Sequence, residues 1–118
     1  MKVLIVDDSK VMRAMIKRAL DSSSLEVETI EAGDGAEALT KVAEGPNLIL
    51  CDWNMPNMNG VEFVRALREL PNDTPVLMVT TETHFSKKQE ATNAGANGFL
   101  AKPFTPEQLA EQIQAVVG

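Results

Sequence analysis

The sequence contains one cysteine in 118 residues, and this scarcity excludes several kinds of protein. A lone cysteine cannot form an internal disulfide bond or a metal site made of cysteines alone. Cys51 lies in an apolar stretch, where we expect a buried, unreactive thiol. The chain also lacks an apolar run of about 18 residues and a charged-then-apolar leader, so neither a transmembrane helix nor a signal segment is predicted. These absences favour a cytoplasmic protein that does not bind membranes.

Basic residues are also few, since 11 Lys and Arg stand against 17 Asp and Glu, for a formal net charge of −6. A negative surface repels phosphate backbones, which argues against sequence-independent binding of nucleic acid. The length suits one domain, and 44% hydrophobic residues suffice for a core. We expect residues 1–118 to form a single domain with no DNA-binding module after it.

Neither of two glycine-rich nucleotide-binding patterns, GxxxxGK[ST] and GxGxxG, occurs in the chain. The sequence therefore predicts no loop that would cradle the phosphates of a nucleotide. Any phosphoryl group that the protein uses must come from a separate donor.

The chain does contain a repeated alternation of short apolar segments and amphipathic segments. Strands are predicted at 2–6, 26–31, 48–51, 75–79 and 98–101, and the second alternates with acids, which is typical of an edge strand. Helices are predicted after the capping residues Ser9, Asp34, Asn59 and Thr105, and a fifth helix with a thin apolar face covers about 84–94. The alternation implies parallel strands joined by right-handed crossovers, in an open, doubly wound α/β sheet with helices on both faces.

Helical spacing also predicts which side chains face inward. These are Met12, Met15, Ile16, Ala19 and Leu20 in the first helix, Ala36, Leu39, Val42 and Ala43 in the second, Phe63, Val64, Leu67 and Leu70 in the third, Phe85, Ala91 and Ala94 in the fourth, and Leu109, Ile113, Val116 and Val117 in the fifth.

Polar side chains follow four of the five predicted strands. They are Asp7 and Asp8, Asp52, Thr80 and Lys102. Ligands of open parallel sheets bind outside the carboxyl ends of the strands, so these groups converge where a site is expected. A single strand-end acid is ordinary, because it can accept hydrogen bonds from loop amides, but the convergence of three acids, a hydroxyl and a lysine favours a functional site.

Three adjacent carboxylates repel one another, by about 1 kcal/mol for a pair at ~4 Å in water and several times more where water is excluded. Lys102 offsets one charge, and a divalent cation would offset the others. Oxygen ligands without histidine or cysteine favour Mg²⁺ or a similar ion that keeps some of its water. The alternative is a cluster of acids paired with Lys102 and holding no metal. With a metal, the set is suited to phosphoryl transfer, with a carboxylate as the nucleophile that forms an aspartyl phosphate.

The same residues resemble a known family, the receiver domains of two-component response regulators, and within it the stand-alone chemotaxis regulators. The resemblance spans nearly the whole chain and rests on Val3 to Ser9 (VLIVDDS), Asp52 to Pro56 (DWNMP) with Gly60, Thr80, and Lys102 to Phe104 (KPF). It implies the flavodoxin-like strand order 2-1-3-4-5. It also implies a phosphorylation-controlled switch that catalyses its own phosphorylation and dephosphorylation but turns over no separate substrate.

The resemblance implies a role for each site residue. Asp52 would accept the phosphoryl group from a histidine kinase. Asp8, Asp52 and the backbone carbonyl of Asn54 would bind Mg²⁺, with Asp7 acting mostly through water. Thr80 would bond the phosphoryl oxygens, and Lys102 would pair with the carboxylate or the phosphoryl group.

The remaining implied roles concern regulation. Asn54 and Glu82 would tune dephosphorylation, and Phe99 takes the aromatic switch position, where the chemotaxis regulators are expected to have Tyr. The Lys102–Pro103 bond is a candidate for the cis form. We expect a monomer whose partners are the kinase and a downstream target protein, of the flagellar-motor type or a histidine phosphotransfer protein.

Trp53, the only tryptophan, is expected to be half-buried in the loop.

Two other classes of protein fit these residues less well. A phosphohydrolase of the haloacid-dehalogenase type needs a general acid two residues after its nucleophile, and Asn54 cannot fill that role. A flavin carrier of similar fold needs a phosphate-binding loop after the first strand, where Asp7 and Asp8 would repel phosphate. Within the signalling class, a phosphorelay shuttle between histidine proteins remains an alternative to a chemotaxis switch.

Overall fold

The computed structural model describes residues 1–118 and consists of one five-stranded parallel sheet covered by five helices. The strands are β1 (Lys2–Val6), β2 (Glu28–Ala32), β3 (Leu48–Cys51), β4 (Val76–Thr80) and β5 (Gly98–Ala101). The helices are α1 (Lys10–Asp21), α2 (Gly35–Lys41), α3 (Gly60–Glu69), α4 (Phe85–Ala94) and α5 (Pro106–Val117), and a 3₁₀ turn, Val42–Glu44, follows α2. The strand order is β2-β1-β3-β4-β5, so the fold class and the order implied by the resemblance are both confirmed. No helix combines the length and the apolar character needed to span a lipid bilayer.

The apolar runs of the sequence form the centre of the sheet. All residues of β3 and β4 are buried, as are four of the five in β1, whereas β2 lies at one edge and its first residue is exposed. Side chains on one face of the sheet pack with residues of α1 and α5, and those on the other face pack with residues of α2, α3 and α4. Burial on both faces leaves the central strands little freedom, which fixes the position of whatever follows them.

Side-chain caps start four of the helices where the sequence predicts. Ser9 and Asp34 each accept a hydrogen bond from a backbone N–H three residues on, and Asn59 and Thr105 form complete capping boxes. At the start of α2 the capping box is incomplete, because the Glu37 carboxylate accepts a hydrogen bond from the N–H of Gly33 and not from the N–H of Asp34.

Six of the side chains predicted to face inward are exposed: Met15 by 52%, Leu70 by 47%, Phe85 by 78% and Val117 by 42%, together with Ala36 and Ala43. Val117 is the last residue of α5, and Ala43 lies in the 3₁₀ turn that follows α2. Leu70 has left the helical stripe, because it is the C-cap of α3 and its backbone is extended. Phe85 is the first residue of α4 and precedes the turns that pack on the sheet. Met15 lies at the margin of the apolar stripe of α1, beside a surface groove that it lines with Pro103 and Phe104.

Candidate functional site

The backbone of the predicted site residues is held by hydrogen bonds that continue the sheet beyond the strand ends. The N–H of Asp7 donates to Ala32 of β2 at 3.1 Å, and the N–H of Asp52 donates to Val6 of β1 at 2.9 Å. On the other side, the N–H of Lys102 donates to Thr80 at 2.9 Å. The parallel ladder therefore brings these residues to one edge as the sequence predicts.

The three acids converge at this edge. Carboxylate oxygens of Asp7, Asp8 and Asp52 lie within 4.8 Å of one another. Their exposure differs, since the Asp7 side chain is 2% exposed and the Asp52 side chain 12%, whereas Asp8 is an exposed residue. The cluster therefore runs from a buried carboxylate to one that faces solvent.

Lys102 lies between two of these acids. Its Nζ is 2.8 Å from Oδ2 of Asp7 and 3.5 Å from Oδ2 of Asp52, and its side chain is only 10% exposed. The shorter bond goes to Asp7, so the lysine offsets chiefly the most buried charge while remaining near Asp52. The Lys102–Pro103 peptide bond is cis, the form for which the resemblance made it a candidate.

The Asp52 carboxylate lies further from the Lys102 ammonium than the Asp7 carboxylate does. Its Oδ1 accepts a hydrogen bond from the N–H of Trp53 at 2.7 Å. Burial raises the pKa of Asp52 above its usual value, and the negative charge of Asp7 raises it further, while Lys102, the Trp53 N–H and the Thr80 side chain lower it. Ionising this carboxylate therefore costs free energy, which a bound cation would return.

Thr80 and the two predicted tuning residues are connected through the loop after β4. Thr80 is fully buried, and its Oγ1 accepts a hydrogen bond from the N–H of Glu82 at 3.2 Å. The Glu82 carboxylate in turn accepts a hydrogen bond of 3.4 Å from the side-chain amide of Asn54, which is exposed. Asn54 and Glu82 thus lie together at the mouth of the site.

Phe99 faces the same side of the sheet as Thr80. Residues Met78 and Thr80 of β4 pair with Phe99 and Ala101 of β5, so Phe99 and Thr80 lie on adjacent strands with an offset of two residues. The ring is partly buried against the core, and Nζ of Lys88 lies 5.6 Å from its centroid.

Trp53 is more buried than the sequence predicts, at 5% exposure, because its indole packs into the core beneath α3 and α4. Nζ of Lys87 lies 5.2 Å from the centre of its ring. Sequence analysis also missed Arg13, whose guanidinium donates to the backbone carbonyl of Asp7. Neither Lys87 nor Arg13 belongs to a recognisable motif. Their contacts become visible only when α4 and α1 are placed against the sheet.

The donor set fits Mg²⁺. All three clustered side chains offer oxygen, the preferred ligand of that ion, and the only thiol, Cys51, is fully buried below them. Lys102 supplies one positive charge against three carboxylates, which leaves an excess of negative charge for a divalent cation.

Comparison with known proteins identifies the family. The family model described as "Response regulator receiver domain" matches residues 3–114. The chain belongs to this family. It is 42% identical to the chemotaxis protein CheY homolog of Campylobacter jejuni, over 100% of this chain and 93% of that protein. It is 43% identical to the chemotaxis protein CheY of Pseudomonas aeruginosa, over 98% of this chain and 95% of that protein.

Solved structures agree with these relatives. The chemotaxis response regulator CheY4 of Vibrio cholerae superimposes with a TM-score of 0.85 at 48% identity, covering 98% of this chain and 97% of its own. A putative response regulator of Chloroflexus aurantiacus gives a TM-score of 0.90 at 31% identity, covering 98% and 96%. The strand order is also the one for which CheY itself is a known example.

The chain is therefore a receiver domain of the CheY type of chemotaxis regulators, a component of two-component signalling. Such receivers are signalling proteins rather than enzymes that turn over a separate substrate, and they interact with histidine kinases and downstream targets. Receiver domains bind Mg²⁺ at an acidic pocket, and in this chain Asp7, Asp8 and Asp52 form an acidic cluster.

Proposed function

We propose that residues 1–118 act as one phosphorylation-controlled switch in which Asp52 accepts a phosphoryl group from a histidine kinase. The observation that carries the proposal is the contrast among the three acids. Asp7 is nearly inaccessible and held by Lys102 at 2.8 Å, and Asp8 is exposed. Only Asp52 combines an accessible oxygen with a lysine ammonium at 3.5 Å and with Thr80 nearby.

In the proposed reaction, a carboxylate oxygen of Asp52 attacks the phosphorus of a phosphohistidine. The new O–P bond forms as the P–N bond breaks, and the electron pair of that bond returns to the imidazole nitrogen. Lys102 Nζ and the Thr80 hydroxyl would donate hydrogen bonds to the phosphoryl oxygens, where charge accumulates during transfer. Lys102 is already oriented for this, because its bond to Asp7 holds the ammonium beside Asp52.

The carboxylates of Asp8 and Asp52 and the backbone carbonyl of Asn54 would hold Mg²⁺, with Asp7 acting mostly through water. The bound ion would supply positive charge that neutralises the phosphoryl oxygens. Asp7 would meanwhile keep Lys102 in place, which gives the most buried acid a role that needs no direct contact with the metal.

Loss of the phosphoryl group would follow attack by water on the acyl phosphate. The side chains of Asn54 and Glu82 contact each other and would control the access of that water. We propose that these two residues set the lifetime of the phosphorylated state, as part of self-catalysed phosphorylation and dephosphorylation.

The proposed output passes from Thr80 to Phe99 and α4. A phosphoryl group on Asp52 would draw the Thr80 hydroxyl toward it, and the ring of Phe99 on the same sheet face would move into the vacated space. We propose a monomer in the cytoplasm that binds a kinase and a motor-type target and no nucleic acid. A phosphorelay shuttle is the second candidate, favoured only by the absence of the switch hydroxyl that Tyr would supply at Phe99.

Acetyl phosphate with Mg²⁺ tests the phosphoacceptor directly. We expect mass spectrometry to place one phosphoryl group on Asp52, and the Asp52→Asn variant to stay folded and to lose the label. Asp73→Asn is the matched control, because it removes an exposed acid outside the cluster. A label at any other residue, or full labelling of Asp52→Asn, would overturn the assignment.

A further inference from the structure

The loop between β1 and α1 carries two of the three acids and consists of only three residues, Asp7, Asp8 and Ser9. The peptide group that joins Asp7 to Asp8 lies between the two acids, and the torsions on either side of it belong to the backbone from which both carboxylates extend. A contact that holds the carbonyl of Asp7 therefore restrains this backbone.

Arg13 holds this carbonyl. Its Nη1 donates a hydrogen bond to the backbone oxygen of Asp7, and its Nε donates to Oε1 of Glu31 on β2 at 2.8 Å. The Arg13 side chain is only 11% exposed, so water competes little for either bond. The guanidinium thus connects the loop to the edge strand.

Two further observations indicate that the arrangement is specific. The Ser9 N–H donates to Oδ1 of Asp7 at 2.9 Å, so the side chain of Asp7 is oriented from the same loop. The bond from Arg13 is also the main cause that lowers the pKa of Glu31, as expected for a carboxylate that pairs with a guanidinium. Arg13, Glu31 and the Asp7 carbonyl form one continuous support.

We propose that Arg13 is a positioning residue for the acid cluster: by fixing the Asp7–Asp8 peptide group, it aims both carboxylates at the Mg²⁺ position. This inference rests on the proposed function, because the orientation of the two carboxylates has an effect only if the cluster binds Mg²⁺. Outer groups of this kind orient the ligands of a metal site and strengthen its affinity.

The proposal requires an arginine, not merely a positive charge. The planar guanidinium donates in two fixed directions at once, toward Asp7 and toward Glu31, whereas a lysine ammonium is a point charge on a flexible stem. Lys17, one turn further along α1, offers the natural comparison. Its Nζ contacts only Glu31, at 3.3 Å, and its side chain is 43% exposed.

A purely electrostatic role for Arg13 predicts effects of the opposite sign. A positive charge beside the cluster repels Mg²⁺, so its removal in Arg13→Met would strengthen Mg²⁺ binding, and Arg13→Lys would leave the binding unchanged. If Arg13 positions the acids, both variants weaken binding. The sign of the change therefore separates the two explanations.

The experiment compares Arg13→Met, Arg13→Lys and the control Lys17→Met by calorimetric titration with Mg²⁺ and by labelling with acetyl phosphate. We expect both Arg13 variants to bind Mg²⁺ about tenfold more weakly and Lys17→Met to stay within about twofold of the parent. Saturating Mg²⁺ should restore most of the labelling rate of the Arg13 variants, because the defect is in affinity. Unchanged or tighter binding in Arg13→Lys would overturn the proposal, even if Arg13→Met does not fold.

A second readout needs no metal. In EDTA, the Ser9 amide, which donates to Asp7, should exchange with deuterium faster in the Arg13 variants than in the parent and in Lys17→Met. Equal exchange in all four proteins would overturn the positioning role. If the parent itself binds no Mg²⁺, the proposed function fails, and the exchange result still decides whether Arg13 orders the loop.

Discussion

The carboxyl edge of β1 and β3 differs from the neighbouring α4 and β5 in how firmly it is packed. Leu50 of β3 is 1% exposed and lies between two other buried strands, whereas the packed face of α4 is limited to Ala91 and Ala94, and Phe85 is 78% exposed. In β5, Phe99 is only partly buried. Phosphoryl transfer needs groups held within fractions of an ångström, and a signal needs an element that can shift at low cost.

The two regions nevertheless meet at Thr80. This residue ends the buried strand β4, next to the acids, and it shares a sheet face with Phe99. The acid cluster therefore lies in the firmly packed region, and the proposed response would lie in the weakly packed one.

The largest expected effect is a difference in the free energy of unfolding between variants of the two regions. Leu50→Ala should lower the free energy of unfolding by about 2–5 kcal/mol, because it removes buried methyl groups that the surrounding strands cannot replace. Phe85→Ala, although it removes a larger side chain, should change it by less than about 0.5 kcal/mol. Urea denaturation of the two variants measures both values. Equal losses would mean that α4 depends on Phe85 for packing and that the two regions are alike.

The next prediction concerns the link between the regions. Thr80→Ala should still be labelled on Asp52, but labelling should no longer change the deuterium exchange of α4 and β5, because the hydroxyl that senses the phosphoryl group is gone. The control is Thr81→Ala, which alters an exposed neighbour and should behave like the parent. Coupling energies between sites are typically about 1–3 kcal/mol, enough for exchange to detect. If labelled Thr80→Ala shows the same change in α4, this route of coupling is wrong.

A smaller effect is expected from charge crowding. In EDTA at neutral pH, Asp52→Asn should raise the free energy of unfolding by about 1 kcal/mol, because it removes a carboxylate crowded by Asp7. Asp8→Asn should raise it less, since Asp8 is exposed.

The pH dependence of that gain follows from the raised pKa of Asp52. The folded protein binds this proton more tightly than the unfolded chain, so the parent becomes relatively more stable as the pH falls through the raised pKa. The advantage of Asp52→Asn should therefore shrink in acid. An advantage that grows as the pH falls would contradict the crowding of these carboxylates.

Much of this structure could be predicted from the sequence because its signals are local. The apolar runs at 48–51 and 75–79, the caps and the alternation identified the elements, and the polar residues at the ends of four strands identified Asp7, Asp8, Asp52, Thr80 and Lys102 as neighbours. The strand order needed the family resemblance, because alternation alone allows other orders.

Other features depend on tertiary packing and could not be predicted in this way. The periodicity of α3 says nothing about the extended backbone at Leu70, and the burial of Trp53 depends on how α3 and α4 cover the loop. Which acid takes the shorter bond to Lys102 depends on differences of under an ångström. Arg13 is one of 11 basic residues, and nothing in the sequence marks its contact with Asp7.

The central claim is that the three acids bind Mg²⁺ and that Asp52 then accepts a phosphoryl group, and the fluorescence of Trp53 tests it most directly. Trp53 is the only tryptophan, it is buried, and its backbone N–H donates a hydrogen bond to Oδ1 of Asp52 at 2.7 Å. Mg²⁺ should therefore change the emission in a saturable way. Acetyl phosphate should change it further only when Mg²⁺ is present, and this second change should be absent in Asp52→Asn and should reverse when the donor is removed. Flat emission together with no calorimetric heat of Mg²⁺ binding would contradict the claim.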